Sequence, residues 1–114
     1  MNNNIETDIN ESKKNLRATK SKLLSIDKDE LNNQDERNKL AEELEICETN
    51  ILKLETADLK NLNENFKSKV PELMCTTEKL KNDLANLNDA IEIIKVAEAG
   101  LNIVTGIINL LAKV

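Results

Sequence analysis

Two thiols and a dense set of carboxylates are the groups of this chain with a potential for chemistry. Cys47 and Cys75 could supply a nucleophile, a metal ligand or a disulfide, and Glu42, Glu43 and Glu45 could supply acid–base pairs. Spacing argues against each. Neighbouring positions on a helix point in different directions, so a glutamate run of this kind is expected to be a solvated face and not a converging pair. Two cysteines make neither a disulfide framework nor a metal-site pattern. Histidine is absent, which removes the usual general base and the commonest metal ligand. Without it the inward Glu with Glu-x-x-His sets of helical-bundle metal sites cannot form. Two glycines cannot build a phosphate loop or a nucleophile elbow. The expectation is a protein that is not an enzyme, with no catalytic residues, no cofactor and no metal site. Both thiols are expected to be reduced, with Cys47 a small buried hydrophobe.

The elements that would position any site are helical. Charged residues make up 32% of the 114 positions, with one proline and one aromatic residue, a profile of long helices and not of sheet. Ile5, Ile9, Leu16, Leu23 and Ile26 lie near one stripe, which predicts a thin amphipathic helix over 5–31 after a disordered 1–4. Asp27 with Glu30 could form a capping box, whereas Asn32 to Asp35 could be a turn ending in an N-cap, and the second is preferred. From about Asp35 to Lys69, Leu40, Leu44, Cys47, Ile51 and Leu54 follow steps of 4, 3, 4 and 3, the seam of a coiled coil. Val70 and Pro71 then interrupt the pattern. The residue before proline is pushed away from helical geometry and proline suits a first helical position, so a hairpin turn is expected at Val70-Pro71, with the next helix over 72–113.

The two longer segments invite pairing. The position numbers of Leu54 and Leu87, Cys47 and Ile94, Leu44 and Ala97, and Leu40 and Leu101 add to one constant value, as level residues on antiparallel helices would. The expected fold is therefore all-α: a single helical domain over 5–114, built as an elongated antiparallel hairpin, coiled-coil-like, that the N-terminal helix thickens into a three-helix bundle at one end. Phe66, Val70, Leu73 and Met74 would pack at the hairpin tip.

Ala90 to Val114 raises the functional question. Its polar residues, Glu92, Lys95, Glu98, Asn102, Thr105, Asn109 and Lys113, form one narrow stripe, and the rest is apolar or small. The first helix offers few large apolar residues to cover it. Each exposed Leu, Ile or Val forgoes about 2 kcal/mol of burial, so Leu101, Val104, Ile107, Ile108 and Leu111 are the expected contacts with a second copy or a protein partner. The expected function is a helical interaction module that self-assembles or docks on a protein through this segment. The alternatives are a membrane-active helical component, like those of pore-forming toxins in architecture, and a small acidic chaperone or antitoxin-like binding protein. Nucleic acid is not an expected partner, because the chain carries a net charge of -5 and no clustered basic face. A membrane is the weaker expectation: the longest uncharged run, 99–112, has 14 residues, against about 20 for a spanning helix. With no signal peptide or conventional transmembrane segment in view, a cytoplasmic location is expected.

Overall fold

A computed structural model describes residues 2–112. Over those residues the chain forms four α-helices, α1 (Asn2–Leu24), α2 (Gln34–Glu55), α3 (Glu64–Ala85) and α4 (Ala90–Ile108), with 3-10 turns at Lys28–Glu30 and Asn109–Ala112. They pack side by side as a bundle of 48 × 25 × 17 Å. Helix α1 already begins at Asn2, and Met1, Lys113 and Val114 lie outside the described residues.

Three breaks divide the chain, each built from short polar side chains. Leaving α1, Asp27 accepts a hydrogen bond from the Asp29 amide and caps the first 3-10 turn, and Asn33 caps α2 by accepting from the Glu36 amide at 2.9 Å. The first helix thus ends at Leu24 and not at 31, Asp27 caps the 3-10 turn, and α2 is capped at Asn33 and not at the end of the turn expected over Asn32 to Asp35. Leaving α2, Asp58 gathers the Lys60 amide at 3.1 Å and the Asn61 side-chain amide at 2.8 Å. Those hydrogen bonds, Asn61's first, hold the Asp58 carboxyl below its ordinary range. Asn63 then caps α3 by accepting from the Phe66 amide at 2.8 Å. Between α3 and α4, Asp89 accepts from the Glu92 amide at 3.0 Å.

The turn expected at Val70-Pro71 is helix interior. Pro71 lies well inside α3, where a missing N–H and the ring's clash with the preceding turn cost about 3 kcal/mol. Two features offset this. Pro71 is exposed, so the carbonyl it leaves without a donor can turn to water. Phe66, Val70 and Leu73 are fully buried on the opposite side, each contributing about 2 kcal/mol. Helices over 35–69 and 72–113 are therefore replaced by three shorter ones, broken at 56–63 and 86–89.

Around the bundle the order is α1, α3, α4, α2, with α1 across the diagonal from α4 and α2 from α3. The chain forms two αα-hairpins, α1–α2 and α3–α4, and segment 56–63 crosses from one to the other over the bundle end. Asn63 fastens that crossing, because its side-chain amide also donates to the carbonyls of Leu110 and Leu111.

This arrangement corrects the expected pairing. Lys39 meets Glu98 at 3.0 Å, Asn50 donates to Thr105 at 3.0 Å and Lys53 donates to Asn109 at 3.4 Å. Position numbers rise together along both helices, so α2 and α4 run parallel. Helix α1 covers α3 and α2, not the last segment. Its shortage of large apolar residues is met by close approach: Ile9, Ser12, Leu16, Thr19 and Leu23 are buried in steps of 3, 4, 3 and 4. Asn15 donates to Thr77 at 3.2 Å. The buried hydroxyls of Ser12 and Thr19 donate to the carbonyls of Asp8 and Asn15, so burial leaves them satisfied.

Candidate docking face on the last helix

Helix α4 divides its circumference three ways. Ala90, Ile93, Ile94, Ala97, Leu101, Val104, Ile107 and Ile108 are buried. This inner face lies against α2 and α3, and it contains four of the five residues expected to contact a partner. The fifth, Leu111, is half-buried in the C-terminal 3-10 turn. The flank toward α2 is polar: Glu98 and Thr105 are half-buried through Lys39 and Asn50, and Lys95, Asn102 and Asn109 face water.

The flank toward α3 is apolar and open. Val96, Ala99, Ile103, Gly106 and Leu110 follow steps of 3, 4, 3 and 4. Ile103 is 54% exposed, Ala99 and Gly106 are exposed, and Val96 and Leu110 are half-buried. Beside them a shallow groove runs between α3 and α4, with Leu80 beneath it and Lys79 and Asp83 on the α3 wall. Gly100 is what lets the helices close here, since a Cβ at that position would stand 2.7 Å from Leu80 Cδ1. Gly106 has a different setting: a Cβ there would meet nothing within 4 Å. Its smallness serves no packing inside the chain.

Four of the residues expected to make contact are thus on the inner face of the helix, and the residues free to do so are on the neighbouring flank. The sequence carried the signal, since the steps of 3 and 4 from Val96 to Leu110 are as regular as those of the buried stripe. Treating every apolar residue of the segment as one surface hid it. The other exposed large apolar residues, Leu24, Leu52 and Leu59, sit on separate elements and form no stripe.

The thiols and carboxylates fall apart in space. Cys47 is buried, its Sγ donates to the Leu16 carbonyl at 3.3 Å, and burial pushes its thiol up to about 12. Cys75 is exposed on α3. Alkylation of the native protein with iodoacetamide, followed by intact-mass analysis, is therefore expected to add one label, at Cys75, with Cys47 reacting only after unfolding. Two labels added at similar rates under native conditions would contradict this burial. Glu42 and Glu45 are exposed, whereas Glu43 is buried, a position that the view of this run as a solvated face missed. Among the described residues no group of three or more His, Cys, Asp or Glu side chains could hold a metal ion.

Comparison with protein-family models, curated proteins and solved structures gave no match to this chain. Among the described residues no helix is long and apolar enough to cross a membrane.

Proposed function

We propose that this chain is a non-enzymatic helical interaction module that takes up another helix along the outer face of α4, from Val96 to Gly106, with Leu110 of the following 3-10 turn at its end. The observation that carries the reading is the exposed apolar stripe at heptad spacing. Steps of 3 and 4 keep a side-chain row facing a partner helix over several turns, and an amphipathic helix laid on such a row is a recurrent mode of protein recognition. Small residues at Ala99 and Gly106 would let the incoming helix approach closely. Lys95 and Glu98 of α4 lie on its other flank, so burying the stripe would leave them in place; Glu92, one turn before Val96 at the same phase, and Lys79 and Asp83 on the α3 wall would rim the contact.

A second copy of the chain is the first partner to test. Light scattering on a sizing column is expected to give a mass that rises above the 12.8 kDa of one chain as concentration increases. Ile103→Glu is expected to return it to one chain, with helix content and melting temperature little changed, because the side chain is largely in water and Glu suits a helix. A single-chain mass for the unaltered protein at every concentration would exclude self-assembly. An assembly that Ile103→Glu leaves intact would exclude this face.

A further inference from the structure

Glu43 lies in the seam between α2 and α4 and is 2% exposed. Its Oε1 is buried and accepts no hydrogen bond. A buried carboxylate needs a cation or donors to hold its charge, yet the cation nearby is engaged elsewhere: Lys39, one turn back on α2, is bonded to Glu98 of α4 at 3.0 Å. Glu98 and Glu42 both add negative charge around Glu43. Lys95, also on α4, is exposed. From α1, packed on the other side of α2, Lys20 is tied to Glu48 at 3.0 Å. Helix α3 stands across the diagonal from α2.

We propose that Glu43 is a proton-operated latch between α2 and α4, loosening their seam when ionised and closing it when protonated. Ionised, the side chain sets an unpaired charge beside two other carboxylates at the place where α2 covers α4. Protonated, it loses that charge and gains an O–H donor. Burial first, then Glu98 and Glu42, raise the pKa of Glu43 above the ordinary 4.5, against a smaller opposite pull from Lys39. The folded state therefore holds the proton more tightly than the unfolded chain. The stabilisation is complete below the unfolded value and is lost as pH rises through the higher folded value. Mild acid should tighten this seam, the opposite of the usual response of ion-paired carboxylates.

Thermal melts of the unaltered protein, Glu43→Gln and Glu45→Gln at pH 7 and pH 4.5, with a 13C carboxyl titration of the unaltered protein, test the latch. Glu43→Gln is expected to melt about 5 °C higher at pH 7, the shift that roughly one factor of five in folding equilibrium gives a domain of this size, and the advantage should shrink at pH 4.5. Glu45→Gln, at an exposed position, should follow the unaltered protein. In the titration Glu43 should have its midpoint above the ordinary 4.5. If Gln packs poorly and the melts are obscured, the titration decides alone. A Glu43 midpoint at or below the ordinary 4.5, or an effect of Glu43→Gln that does not change with pH, would overturn the proposal.

Discussion

Leu101→Lys is expected to leave most of the chain unfolded at room temperature. Leu101 is wholly buried on the inner face of α4, among side chains from helices on both sides. Removing it loses about 2–5 kcal/mol of burial and packing. Placing an ammonium there adds the cost of a buried charge with no partner, several kcal/mol more unless the lysine surrenders its proton or drags its helix outward. Domains of ordinary stability have about 5–15 kcal/mol in total. Asn102→Lys, one position on, is the control. That residue faces water on the polar flank, where substitutions stay within about 0.5 kcal/mol of neutral. Far-ultraviolet circular dichroism with temperature separates the two: Leu101→Lys should show little cooperative melting and Asn102→Lys a transition close to the unaltered one. Similar melting of the two variants would refute the division of α4 into inner and outer faces.

Phe66→Ala should produce the next largest loss, about 3–5 kcal/mol. Phe66 is the one aromatic residue of the chain and is fully buried in the first turn of α3, where its amide also donates to the Asn63 cap. The substitution would empty the largest single volume near the bundle end over which 56–63 crosses. Had Phe66 been an exposed knob at the tip of a two-helix hairpin, the same change would have cost little. Urea denaturation gives the answer as a shift in midpoint at unchanged slope. A midpoint within error of the unaltered protein would contradict the placement of Phe66 inside the bundle.

Much of the architecture was legible in the sequence. The all-helical class follows from composition, and the seam Leu40, Cys47, Ile51 and Leu54 is buried where its spacing placed it, with Leu44 half-buried. The turn at Asn32 to Asp35 ends in a cap, though at Asn33. What the sequence concealed was direction. Steps of 3 and 4 read the same forwards and backwards, so the constant sums that paired α2 with α4 as antiparallel helices were a property of two stripes in phase. They carried no information on which way either ran.

The breaks at 56–63 and 86–89 had signals that Pro71 outweighed. Asp89 with Glu92 has the residues of a capping box, and Asp58, Asn61 and Asn63 form a polar cluster of the kind that starts helices. Pro71 looked decisive because its local penalty is large, yet three buried neighbours outweigh it. The proposed docking face was only partly legible. The sequence points to the last helix and to Leu101, Val104, Ile107 and Ile108, because beyond one hairpin partner only α1 was expected to cover them. Once α2 and α3 flank α4, those residues are core, and the second stripe from Val96 to Leu110 is what faces outward. Glu43 left a signal in the spacing, since it stands three residues after Leu40 and four before Cys47, in phase with the buried row that Asn50 and Leu54 continue; reading Glu42, Glu43 and Glu45 as one solvated run hid it.

The parallel course of α2 and α4 makes the inner face of α4 private and turns Val96, Ile103 and Gly106 outward. A nuclear Overhauser contact between the side-chain amide of Asn50 and the methyl group of Thr105 tests it most directly, on the unaltered protein. The hydrogen bond of 3.0 Å between these side chains leads to a strong contact. In an antiparallel hairpin Asn50 would lie level with Ile91, about 21 Å along the helix from Thr105, and that contact would be absent. A contact from Asn50 to Ile91 in its place would contradict the bundle described above, and with it the outward face assigned to α4.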